Sequence, residues 1–255
     1  MTRFLAIVRV TVRQTLGLKR AIGLGLLSVS AAGTYFVTSL GQGSNLSANQ
    51  AFDVFLGLSV GTFLNIIIPV VTLILATSVL GDERRDTTMS FLVLRPVSRV
   101  TIAAAKVTAA IVECFLLTGL GALALGIVSA PRLGTTAYII PLLVGTLVAT
   151  AAYCAVFVPV GYLLKRATLI GLTYVFVWEN GIGGAIPALA GISPWRIGIS
   201  AMAALAPSEF LAQLPQFAIG DLAAGAGGAA VKALILIALS SLAVASILRR
   251  RDLAV

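Results

Sequence analysis

Long apolar runs, each bordered by basic residues, constrain this chain more than any other feature. An apolar helix of about 20 residues spans the hydrocarbon core of a bilayer. The sequence offers six such runs, at about 21–40, 54–80, 107–128, 137–164, 167–187 and 229–248. Fifteen of the 18 Lys and Arg residues fall on one side of the resulting zigzag. Arg3, Arg9, Arg13, Lys19 and Arg20 precede the first run, and Arg84, Arg85, Arg95, Arg99 and Lys106 separate the second from the third. Lys165 and Arg166 separate the fourth from the fifth, and Arg249, Arg250 and Arg251 follow the last. Only Arg132, Arg196 and Lys232 are left for the other side. Basic residues in short loops stay cytoplasmic, so both termini are expected inside and residues 41–53 outside. The expected fold is an all-α integral membrane protein with six transmembrane helices.

Composition excludes the soluble alternatives. The 255 residues are 59% hydrophobic and 11% charged, against roughly 25% charged in a soluble domain. The net charge of +9 lies at membrane borders rather than on one soluble face, which argues against nucleic acid as a partner. Cys114 and Cys154 lie inside apolar runs without CxxC spacing, so both read as buried thiols. The charge-interrupted start does not read as a cleavable signal peptide.

Residues 1–20 read as an amphipathic helix in the lipid interface. Arg9 and Arg13 belong to its polar side, and Phe4, Leu5, Ile7, Val8 and Val12 supply apolar surface. Asn65 and Pro69 predict a kink in the second span, and Pro141 and Pro159 predict irregular ends for the fourth. Residues 81–106 form a charged loop. Residues 185–228 are apolar but broken by Pro187, Pro194, Pro207 and Pro215. They read as re-entrant helices capping the outer side, with protein covering their exposed backbone.

The chain lacks the usual catalytic machinery. Gly57-Leu58-Ser59-Val60-Gly61 matches GxSxG, but with no His in the sequence the hydrolase triad cannot form. The same residues make a GxxxG helix-packing face. His-based metal sites are excluded on the same ground. None of the four lysines follows a glycine, so there is no P-loop. No catalytic, cofactor or metal residue is expected, and any energy source is an ion gradient or another subunit.

The segment from Glu83 to Arg99, followed by Lys106, resembles the loop between spans two and three of ABC transporter permeases of the type-2 exporter family. Glu83, Thr88, Leu92, Pro96, Ser98, Arg99 and Lys106 fall at the matching places, while Thr87 stands where Gly is usual. The Val177-Trp178-Glu179 stretch is also similar. The resemblance implies a cytoplasmic coupling helix seated in an ATPase subunit, with Glu83, Arg85, Thr88, Leu92, Pro96 and Arg99 as coupling residues. It also implies two P-loop ATPase subunits that bind ATP and Mg, a second permease copy, and a multi-pass location in a bacterial or archaeal inner membrane. Physical reasoning supports a docking role, because Met89, Phe91, Leu92 and Leu94 add an apolar strip that a plain solvated loop would not need.

Two carboxylates fall within the spans. Glu113 and Glu179, the latter beside Asn180, are candidates for a substrate pathway or gate, because intramembrane carboxylates face the bundle interior or water. A structural hydrogen bond or an interfacial position is the plainer alternative for each. A gradient-driven secondary transporter or channel is the competing function, and these two residues would have to serve as its ion site.

Overall fold

The computed structural model describes residues 3–41, 47–85, 97–164, 166–177, 193–214 and 225–252. The described residues are helices joined by short turns. They comprise α1 (Arg3–Thr15), α2 (Leu18–Gly41), α3 (Ala48–Leu56), a π-helical stretch (Gly57–Ile67) and α4 (Ile68–Arg85). There follow α5 (Arg99–Leu133), α6 (Ile139–Leu163), α7 (Ala167–Thr173), α8 (Pro194–Ala203), α9 (Ser208–Gln213) and α10 (Gly225–Asp252). Among the described residues five helical stretches are long and apolar enough to cross a membrane: Leu18–Gly41, Ala48–Arg84, Arg99–Leu133, Ile139–Leu163 and Gly225–Arg249. The expected fifth run appears as the shorter Ala167–Val177, and residues 178–192 lie outside the described residues.

Helix ends are set by caps that extend several spans beyond their apolar cores. Ser47 and Gln50 form a reciprocal capping box, so the second span starts at Ala48, inside the stretch expected to be loop. Ser98 Oγ accepts the Thr101 amide at 3.1 Å and starts α5 at Arg99. The expected loop at 81–106 is therefore shorter. Residues 81–85 finish α4, and Lys106 lies two turns inside α5. The alanines at 103–105 carry the helix through this border without difficulty.

Prolines act according to their position. Pro69 lacks an N–H, and its ring crowds the carbonyl four residues earlier, at Asn65. The helix widens into π turns up to Ile67, which gives the expected irregularity a definite form. Trp195 Nε1 donates to the Val60 carbonyl of this stretch at 3.3 Å. The fourth span departs from expectation, since α6 runs without a break from Ile139 to Leu163. Pro141 sits in its first turn, where a missing N–H has no partner to lose, and Pro159 is accommodated near its end.

Small residues set how closely the helices approach. A Cβ on Gly121 of α5 would lie 2.3 Å from the Ser28 carbonyl of α2. One on Gly161 of α6 would lie 2.3 Å from the Thr77 carbonyl of α4. Gly57 and Gly61 behave differently, because a Cβ on either meets nothing within 4 Å. Among the described residues, nothing packs against the two glycines of the expected GxxxG face. The core centres on α4, α5 and α6, and α8 is wedged beside α6 with every residue buried.

From α2 to α6 the long spans alternate in direction, so this part of the chain has two distinct ends. Arg20, Asp82, Glu83, Arg84, Lys106 and the close of α6 gather at one end through mutual contacts. At the other, Arg132 Nη2 donates to the Ser39 carbonyl at 3.2 Å. There Tyr138 packs against Phe52, Phe55 and Phe210 with centroids 5.5, 5.4 and 6.4 Å away. Burial pushes the Tyr138 phenol above its ordinary value, with the Glu209 carboxylate as the second cause.

Candidate functional site

Three consecutive residues at the end of α4 tie it to three different helices. Successive helical residues point about 100° apart, so Asp82, Glu83 and Arg84 face three directions. Asp82 pairs with Arg20 of α2 at 3.1 Å, in an exposed position. Glu83 pairs with Lys106 of α5, whose side chain is only 2% exposed. Arg84 turns to α6, where its Nη1 donates to the Tyr162 carbonyl at 2.5 Å and to the Leu163 carbonyl at 3.3 Å. Its guanidinium also lies 5.8 Å from the Tyr162 ring centroid. The last carbonyls of a helix lack internal donors and carry partial negative charge. Arg84 supplies both missing donors.

These ties fix both roots of the segment between α4 and α5. Glu83 sits in the last turn before it and Lys106 two turns into α5 after it, and the pair ties the two helices together near its roots. Through Asp82, Glu83 and Arg84 the end of α4 is thus tied to α2, α5 and α6. Val97, at the second root, packs against the main core, and Arg99 is half-buried in the first turn of α5.

The first helix joins the same assembly. Its buried face is centred on Thr11 and Thr15, while Arg9, Arg13, Leu5 and Val10 are exposed. Of the apolar residues expected to supply surface, Ile7 packs against the main core, and the threonine stripe beside it is buried as well. Thr15 Oγ1 donates to Glu113 of α5, which is fully buried two turns beyond Lys106. Glu113 thus lies between α1 and α5. Cys114 and Cys154 are both buried and free.

Of the sequence-predicted residues, the structure brings Glu83 and Lys106 together and places Arg99 in the adjoining turn. Arg85 closes α4, and nothing is described of its side chain. Thr88, Leu92, Pro96, Glu179 and Asn180 lie outside the described residues. Sequence reasoning missed Asp82, Arg84 and Thr15 as ties. The i, i+4 threonines of α1 were the signal for the last of these.

A family model described as ABC-2 family transporter protein matches residues 18–178, more than half of the chain. A comparison with curated proteins returned no match. The matched region contains α2 through α7 and includes the whole fan of contacts around Glu83. The chain belongs to the ABC-2 transporter family as a membrane component, a multi-pass permease of an ABC transporter.

Proposed function

We propose that this permease serves an ATP-driven exporter, as one of two copies whose interface forms the substrate pathway. Two separate P-loop ATPase subunits bind ATP and Mg and dock against the segment between α4 and α5. The observation that carries this reading is the Glu83–Lys106 pair, which clamps the roots of that segment, together with the family match. ATP-driven movement of the docked segment is passed by Asp82, Glu83 and Arg84 to α2, α5 and α6. This chain performs no covalent chemistry.

A sixth crossing is supported by where the ends of α7 and α8 lie. Ala167, at the start of α7, borders the same cavity as Arg84 at the basic end. Gly198 of α8 meets Gly145, in the half of α6 nearer the opposite end. The chain therefore changes ends between them. α10 returns, bringing Arg249 beside Val100 at the start of α5. The basic end is then cytoplasmic and holds both termini. The region around α8 and α9 forms the outer cap, with Glu179 and Asn180 at its inner edge as gate residues.

Glu83→Ala removes the clamp. The expected outcome is an inserted permease that either loses its ATPase subunits or hydrolyses ATP without transport. Wild-type coupling in this variant would refute the assignment.

A further inference from the structure

A cavity of about 440 Å³ lies at the basic end, between the close of α4, the end of α6 and the start of α7. Its size is within the range of small-ligand pockets. The backbones of α4 and α6 meet at Gly81 and Gly161, where a Cβ on Gly81 would come within 3.2 Å of the Gly161 carbonyl. That crossing leaves no side chains to fill the space. The walls carry two guanidinium groups, Arg84 and Arg166, with the Thr168 side chain beside them.

Charge at this site is uncompensated among the described residues. No carboxylate is among the described residues that line the cavity. Of the described acids next to Arg84 along the chain, Asp82 is engaged by Arg20 and Glu83 by Lys106. Arg84 is held by carbonyls through Nη1, so its guanidinium is pre-positioned at a fixed place. Arginine's planar fork suits phosphate oxygens and gives shorter, stronger hydrogen bonds than neutral donors.

The remaining wall selects among phosphates. Leu164 and Leu169 also line the cavity. Leu169 is 62% exposed, and Leu163 and Ile170, near it in the chain, are 55% and 45% exposed, so apolar surface is available for acyl chains. A free anion has no use for such a surface. Basic pockets between transmembrane helices on the cytoplasmic side hold anionic lipid headgroups.

We infer that this cavity binds one phospholipid with an anionic headgroup, its phosphate between Arg84 and Arg166 and its acyl chains along Leu164 and Leu169. The inference uses the membrane placement of this end but not ATP coupling, so it is tested on the permease alone. The purified chain is equilibrated with equal amounts of phosphatidylglycerol and phosphatidylcholine, and retained lipid is read by native mass spectrometry. The expected result is preferential retention of one phosphatidylglycerol, reduced about five- to tenfold in Arg166→Gln, consistent with the contribution of one arginine near a membrane surface. Arg249→Gln, an exposed arginine at the same end, should leave retention unchanged. Arg84 also caps α6, so Arg84→Gln is interpreted only alongside its thermal midpoint, and Arg166→Gln decides. Equal retention of the two lipids, unchanged binding in Arg166→Gln or equal loss in Arg249→Gln would overturn the site. Displacement of the lipid by millimolar inorganic phosphate would overturn the lipid assignment in favour of a free anion.

Discussion

Glu83 and Lys106 form a charged pair inside an apolar bundle, and removing either partner differs from removing both. With Lys106 lost, the Glu83 carboxylate remains part-buried without its cation, a loss of about 3 kcal/mol or more. Replacing both with apolar residues of similar size removes the uncompensated charge and is often neutral. Lys106→Met should therefore lower the thermal midpoint of the purified permease, and Glu83→Leu combined with Lys106→Met should restore most of it. The double variant should nevertheless stay uncoupled if the pair transmits movement. Full coupling there would reduce the pair to a structural role. Glu83 and Lys106 were legible in the sequence through the charged motif, but their contact was not. Counting charges per loop gives a side of the membrane and no azimuth, so it could not separate Asp82, Glu83 and Arg84 into three directions. Nor could it predict that Lys106 would sit inside a helix, because a lysine deep in a span is tolerated only when its partner is known.

At the scale of helices, glycine positions separate contacts inside one chain from surface left for another. Gly161 lies against the Thr77 carbonyl, so Gly161→Leu must push α4 and α6 apart. Overpacking of this kind costs about 1–3 kcal/mol, and the variant should show a lower thermal midpoint as a monomer. Gly57 and Gly61 have open space around them. Paired Gly57→Leu and Gly61→Leu substitutions should leave the monomer's midpoint within a degree or two, while light scattering in detergent shows loss of the dimer. A destabilised monomer, or an intact dimer, would contradict the assignment of that face to the second copy. The sequence revealed the long helices because apolar length is a strong signal, and their ends less well because caps act beyond the apolar core. Ser47 with Gln50, and Ser98 with Thr101, were the local signals that moved two of those ends. Pro69 announced a disturbance but not its π-helical form, in which the Val60 carbonyl accepts from Trp195 Nε1.

Over the whole molecule, topology follows from which contacts gather at each end. α1 meets α5 near Glu113, and Arg249 of α10 approaches Val100. Both lie at the end that carries Arg20, Asp82 and Lys106. Gln14, exposed on α1, and Thr136, exposed between α5 and α6, should therefore label from opposite faces when each is replaced by cysteine. The natural Cys114 and Cys154 are buried and supply little background. Labelling of both positions from outside would overturn the orientation.

The central claim is that an ATPase subunit docks on the segment rooted by Glu83 and Lys106. The most direct measurement is the amount of P-loop ATPase that co-purifies with tagged permease, compared between wild type and Leu92→Asp. An aspartate placed in an apolar groove leaves an uncompensated carboxylate, a penalty of several kcal/mol that is enough to release a partner. The account predicts one ATPase subunit per wild-type permease and almost none with Leu92→Asp, at equal membrane insertion. Equal recovery with both chains, or no ATPase with the wild type, would contradict it.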